Sequence, residues 1–248
     1  KMTLAFPHES LEVYQRYLSV TGQCEELISQ ASTSIAALDH LDRAMESIGV
    51  NLMRANAQKP GSPQRTSSLD VSIASAHECA ASLDVCFAKC IVEAETHEAV
   101  LMSLWRIRGM LLGMKRVNAN RVREERVAYG SPCFPFAGLD MYRVSLAGVG
   151  WTHELLEELA PKTRTRRKLD ISTTGTVLNI AEGHGRTTPA DQNRFMKMAE
   201  EHAFQTILML DLLVARREVD ADRIEGGKTM QGRVISMLHA WCARNGAP

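Results

Sequence analysis

Aromatic residues are scarce in this chain of 248 residues, at 5%, and there are only eight prolines. Strands accumulate aromatic and β-branched side chains, so this scarcity, beside long Leu-, Met- and Ala-rich stretches, argues for helices and against sheets. Net charge is missing as well. Lys plus Arg and Asp plus Glu are 29 each, which excludes a global field that would draw in nucleic acid or an anionic membrane and leaves that role to local patches. No uninterrupted apolar run is long enough to span a bilayer, and the N-terminus lacks a basic-then-apolar signal pattern, so a cytoplasmic protein without membrane partners is expected. The six cysteines form no metal-type pairs. Cys79, Cys86 and Cys90 are spaced to share one helical stripe, whereas Cys24, Cys133 and Cys242 stand singly; reduced core thiols are the expectation.

What is present is enough apolar material, 45% of residues, to bury a core as one large or two small domains. Phe6-Pro7 opens a first helix whose apolar face carries Leu11, Tyr14, Leu18, Leu27 and Ile28 and which ends near Ser29 to Ser32. A second runs from about Ser34 to Ala57, and Gln58 to Pro63 is a loop. Ser62-Pro63 caps a third helix to about Val92. A fourth spans about Glu95 to Met114, and its end runs into the polar, basic stretch Lys115 to Arg126.

The pattern then begins again. Phe134-Pro135 answers Phe6-Pro7, Tyr142 answers Tyr14, and at the same offset Leu146 falls on Leu18, Gly150 on Gly22, and Leu178-Asn179-Ile180 on Val50-Asn51-Leu52. After a small gap Leu210-Asp211 matches Leu83-Asp84, Val219 matches Val92, Arg233 matches Arg106, and Met237-Leu238 matches Met110-Leu111. The expected architecture is therefore all-α: two tandem up-down-up-down four-helix bundles, residues 1–117 and 133–248, joined by a basic linker over 118–132.

The most distinctive stretch is Thr176 to Arg186, an apolar helical run with one Asn that breaks off in Gly183-His184-Gly185. Glycine past the last helical turn takes positive φ at no steric cost, so a chain reversal is expected there. Thr188, Pro189 and Asp191 then restart a helix as N-cap, first helical residue and capping carboxylate. The first half keeps the counterpart asparagine, Asn51, but has Arg54-Ala55-Asn56-Ala57 where Glu-Gly-x-Gly would stand.

A Phe-Pro-Phe-x-x-Leu-x-x-Tyr opening followed by Asn-Ile-Ala-Glu-Gly-x-Gly-Arg resembles the small four-helix-bundle proteins encoded in intervening sequences of 23S ribosomal RNA genes. The accessory variability proteins of diversity-generating retroelements belong to the same family. The second half carries the resemblance over nearly its whole length, and the first half mainly through the repeat. The resemblance implies a non-enzymatic accessory protein that oligomerises and binds RNA and a reverse transcriptase. This chain departs from it in being a fused pair and in being neutral.

Asn179, and Asn51 with it, sits among apolar neighbours, where an unpartnered amide costs roughly 1–3 kcal/mol, so a structural role in fixing helix register is expected. Glu182 and Arg186, four apart, are expected to pair across the turn. Lys162, Arg164, Arg166, Arg167 and Lys168, with Arg186, Arg194 and Lys197, are the candidate nucleic-acid face, and Arg121, Arg123 and Arg126 of the linker invite the same reading. The competing reading is a solvated basic face, or one that meets an acidic partner, and no interleaved aromatics suggest base stacking. No Glu-x-x-His occurs for a di-iron site, and Glu93 with His97 makes only half a ligand set. Gly226-Gly227-Lys228-Thr229 imitates the end of a phosphate loop but has Asp222 in place of the first glycine; it is expected as a turn between helices. The eight histidines have no nucleophile in a suggestive setting, so no enzyme and no cofactor is expected. The alternative to the nucleoprotein role is a structural module for self-association or protein docking.

Overall fold

The computed structural model describes residues 7–30, 35–117, 134–159 and 165–245, and among these there is no strand: the chain is all-α. A short 3-10 turn, Pro7–Ser10, leads into α1 (Glu12–Gln30), followed by α2 (Ala36–Ala57), α3 (Pro63–Ala88) and α4 (Ala94–Val117). A second 3-10 turn, Pro135–Gly138, leads into α5 (Asp140–Glu158), α6 (Arg166–Gly185), α7 (Pro189–Ala215) and α8 (Ala221–Asn245). The linker with Arg121, Arg123 and Arg126, the basic residues Lys162 and Arg164, and Cys133 lie outside the described residues.

The repeat read from the sequence is written into the helix ends. Ser62 and Thr188 are both N-caps followed by proline, and their side chains accept from Arg65 N at 3.2 Å and Asp191 N at 3.1 Å. At the far ends of α3 and α7 the chain turns through a left-handed non-glycine residue, Cys90 (φ 55°) and Arg217 (φ 58°). In each turn the next amide reaches back to an orphan carbonyl, Ile91 N to Cys86 O at 3.0 Å and Glu218 N to Leu213 O at 2.9 Å, which closes the helix in the Schellman manner. α1 and α5 are both 19 residues long. Each packs the ring of the preceding 3-10 turn on its tyrosine: His8 on Tyr14 and Phe136 on Tyr142, both at 4.7 Å.

In the first half α1 packs on α2 and α4, and α3 on α2 and α4; in the second half α5 packs on α6 and α8, and α7 on α6 and α8. The halves meet through α3, which lies on α6 and α5, with α2 touching α6. One apolar core runs from the first four helices across this junction to Val177, Leu178, Met196 and Val234, and a smaller cluster around Leu155, Leu169, Leu210 and Leu213 fills the far end of the second half. α3 and α6 are consequently buried almost all round: every residue from 72 to 77 and from 172 to 181 is buried. Their Ala, Ser, Gly and Thr content lets the backbones approach.

Two sequence expectations fail here. α3 stops at Ala88, not near Val92, so Cys90 lies in the turn and is exposed, off the stripe that buries Cys79 and Cys86. Gly226 to Thr229 is not a turn but the second turn of α8. A Cβ at Gly227 would overlap the Trp151 ring, so this glycine serves the approach of α5 to α8.

Candidate interaction site

The stretch that stands out in the sequence forms the C-terminal half of α6, where α6 lies against α3. Asn179 is 9% exposed and its amide donates to Gly175 O at 2.7 Å; Asn51 is equally buried and donates to Ser47 O at 2.9 Å. The two asparagines are structural equivalents, each bonding back four residues along its own helix. Asn51 also reaches toward Ser47 Oγ, which bonds Ser75 of α3 at 2.7 Å. Against Gly175 the corresponding neighbour is the His202 ring of α7.

The glycines do not act as expected. Gly183 and Gly185 are both inside α6, and Gly61 is the one glycine with positive φ among the described residues. Their service is close packing: a Cβ at Gly183 would lie 2.9 Å from Phe195 Cβ, and one at Gly185 would lie 2.7 Å from His77 Nδ1. The helix ends at Arg186, which is extended (φ −76°, ψ 147°). Arg186 pairs with Glu182 as its spacing suggested, and lies 4.6 Å over the Phe195 ring. Burial, and then repulsion from Glu78, hold the Glu182 carboxyl above its ordinary range, while Arg186 pulls it back down.

His77, which sequence reasoning passed over, sits at the centre of the junction. Its Nε2 accepts from Arg108 Nε at 2.8 Å, and its ring meets Phe134 at 5.4 Å and Phe136 at 5.5 Å edge-on. Nδ1 has no well-formed hydrogen bond, and the Ala181 backbone, alone among the ring's neighbours, favours the charged imidazole. Burial, reinforced by the Arg108 charge, pushes the imidazole down to about 3, so it is neutral at physiological pH. His184 is shifted down for the same two reasons.

Two polar links tie the halves at the other end of α3. Lys89, 4% exposed, forms an ion pair with Asp170 of α6 and donates to Thr174 Oγ1 at 3.3 Å. Asp170 also accepts from the amide of Ala36 at the start of α2, at 3.1 Å, where a carboxylate satisfies an orphan donor. On the α5 side Tyr142 donates to Asp84 Oδ2 at 2.7 Å, and Asp84 Oδ1 lies 2.8 Å from His97 Nε2, whose ring stacks on Phe87. His97 is thus committed to Asp84, and Glu93 lies just before α4, where its carbonyl accepts from His97 N at 2.9 Å. No group of three or more His, Cys, Asp or Glu that could hold a metal is found among the described residues.

The candidate basic residues are not brought onto one face. Arg166, Arg167 and Lys168 start α6, whereas Arg186 lies at its far end, about 30 Å away along a helix of 20 residues, and Arg194 and Lys197 lie on the second and third turns of α7, which runs back along α6. Arg166 is used internally: it donates to the carbonyls of Leu156 and Leu159 at the end of α5 and lies 3.6 Å from Glu157. Arg167, Lys168, Arg194 and Lys197 are exposed, with Arg194 4.9 Å from the Phe195 ring. No protein-family model, no curated protein and no solved structure matches the chain.

Proposed function

We propose that this chain is a non-enzymatic scaffold: a duplicated four-helix bundle whose outer helix faces dock protein. The observation that carries the reading is where large apolar side chains remain exposed. Phe204 and Leu208 on α7, and Leu18, Val50 and Met53 on α1 and α2, lie on helix faces open to solvent, while Asn179, Glu182 and Arg186 of the motif are engaged within the second half, with the Gly175 carbonyl and with each other. The test is affinity capture of the tagged chain from its native cells, wild type against a Phe204→Asp/Leu208→Asp variant. Partner proteins held by wild type and lost by the variant are expected. Recovery of the same set with both, or of none, ends the reading.

The nucleoprotein role implied by the family resemblance, with RNA and/or a reverse transcriptase as partners, is the second reading. In its favour stand exposed Arg194 and Lys197 beside Arg186, where the resembling motif ends. It predicts salt-dependent binding of structured RNA that falls when Arg194 and Lys197 are reversed to Glu. Absence of RNA or polymerase binding at low salt removes it.

A further inference from the structure

The junction of the halves is not symmetric under the repeat. α3 of the first half packs on α5 and α6 of the second, but among the described residues α7, the counterpart of α3, does not pack on α1 or α2, the counterparts of α5 and α6; only His202 of α7 comes within electrostatic reach of His40 of α2. The contact is head-to-tail, so one interface of each kind is left unpaired within a chain: α7 at one side, α1 and α2 at the other.

Burial isolates these faces residue by residue. With the turns of Cys90 and Arg217 aligned, Leu69, Ala76, Cys79, Leu83 and Cys86 of α3 correspond to Met196, Ala203, Thr206, Leu210 and Leu213 of α7, and all are buried. A second stripe behaves differently. Ala74, His77, Ala81 and Lys89 are buried, His77 and Lys89 against α6, whereas their counterparts Glu201, Phe204, Leu208 and Arg216 are exposed. On the opposite side Leu178 and Ala181, buried at the junction, correspond to Val50 and Met53, exposed at 46% and 40%. Partly buried Leu146 corresponds to Leu18, exposed at 46%. Of the eight large apolar residues left exposed among the described residues, five thus sit where the repeat would place an interface, too many for scattered surface residues.

The polar links keep their chemistry as well. The Lys89 pair with Asp170 and its bond to Thr174 translate into Arg216 facing Asp42 and Glu46, all three exposed. The bond from Tyr142 to Asp84 translates into Tyr14 facing Asp211, which within one chain pairs with Lys228 at 2.6 Å. Gly150, where an added Cβ would meet the Ala88 carbonyl at 3.5 Å, corresponds to Gly22, which has open space beside it.

We infer that the occupant of the α7 face is a second copy of this chain, seated by its α1 and α2 as α5 and α6 seat on α3. Phe204 and Leu208 then pack on Met53 and Val50 of the next copy, and Arg216 meets its Asp42 and Glu46. This deepens the scaffold reading by naming the protein partner. A heterologous contact closes as a ring or extends as a filament, so species larger than a dimer form.

The test is light scattering and sedimentation of the full chain over a wide concentration range, with circular dichroism to verify that variants are folded. Wild type is expected to assemble beyond a dimer. Leu208→Asp alone and Val50→Asp alone, both at exposed sites, are expected to be monomeric. Mixed together they should give a one-to-one dimer and nothing larger, because each keeps one working face. Arg216→Asp should weaken assembly, and Asp42→Arg in the same chain should restore part of it. A wild type that stays monomeric at all concentrations, stops at a dimer, or assembles unchanged with either apolar variant overturns the inference, as does a mixture that fails to pair. A monomer that still captures other proteins through Phe204 and Leu208 overturns this inference alone and leaves the scaffold reading standing.

Discussion

His77 of α3 rests against Gly185 of α6 so closely that a Cβ on the glycine would lie 2.7 Å from Nδ1 of the ring. The glycine belongs to the second half and the histidine to the first, so a residue that reads in the sequence as a turn former is a packing requirement of the junction. Gly185→Ala is expected to destabilise by about 1–3 kcal/mol through overpacking, less the gain of up to about 1 kcal/mol in helix propensity. Gly113→Ala, where nothing lies within 4 Å, should show the propensity gain alone. Urea unfolding of the two variants checks both, and a stabilised Gly185→Ala would show that α3 and α6 do not meet there.

The Lys89 pair with Asp170 is buried, and breaking it from one side strands a charge. Asp170→Ala is expected to cost about 3–5 kcal/mol, and Lys89→Met with Asp170→Leu considerably less, since no uncompensated ion remains. Denaturant midpoints of the single and double variants measure this. Equal losses in both would mean that the pair is solvated.

The stability of the fold should depend on pH through His77. Its folded value is about 3 and its unfolded value near 6.5, so the unfolded chain binds the extra proton between them. Stability contributed by the neutral ring is complete above the unfolded value and is lost as pH falls through it, by at most ~1.4 kcal/mol per pH unit per proton. Of the groups facing His77, Arg108 of α4 and His184 of α6 disfavour a charge there, Phe134 and Phe136 carry none, and the Ala181 backbone alone works the other way, as the smallest of these influences. Unfolding free energies at pH 7 and pH 5 should diverge in wild type and diverge less in His77→Phe, the remainder coming from His184 and His202, whose imidazoles burial also holds down. An unchanged slope in the variant would assign the dependence elsewhere.

Thiol chemistry separates the turn from the core. Burial pushes Cys24 and Cys86 up to about 12 and Cys79 well above the usual thiol range, so none offers a thiolate at pH 8 in the folded protein. Among the described thiols Cys90, exposed in the α3–α4 turn, is expected to react first with a thiol reagent, and the three buried thiols only on unfolding. Mass mapping of labelled peptides reads this directly. Early labelling of Cys79 would place it outside the core.

Much of the candidate site was legible because it rests on local rules. The Ser62 and Thr188 caps and the spacing of Glu182 and Arg186 concern residues within one turn of a helix, the equivalence of Asn51 and Asn179 follows from the repeat, and each is found where capping chemistry, periodicity or the repeat puts it. His77, Lys89 and Asp170 were missed because no local rule singles them out. They matter only because α3 and α6, more than eighty residues apart, are pressed together. Gly183, Gly185 and Gly227 were misread for the same reason, since a glycine that admits a neighbouring helix looks in sequence like one that turns the chain.

By itself the sequence determined that the chain is helical and that its pattern occurs twice, because helix formation, capping and the apolar stripe are properties of contiguous residues. It also placed Val50 with Leu178 and Tyr14 with Tyr142. Only the tertiary structure decided that counterpart residues live in different surroundings. The halves meet head-to-tail, so the same stripe is core at Leu178 and solvent-facing at Val50, and the same tyrosine site is wholly buried at Tyr142 and partly buried at Tyr14. A repeat specifies which faces are alike. Which of them is covered depends on a rigid-body arrangement that no single helix encodes.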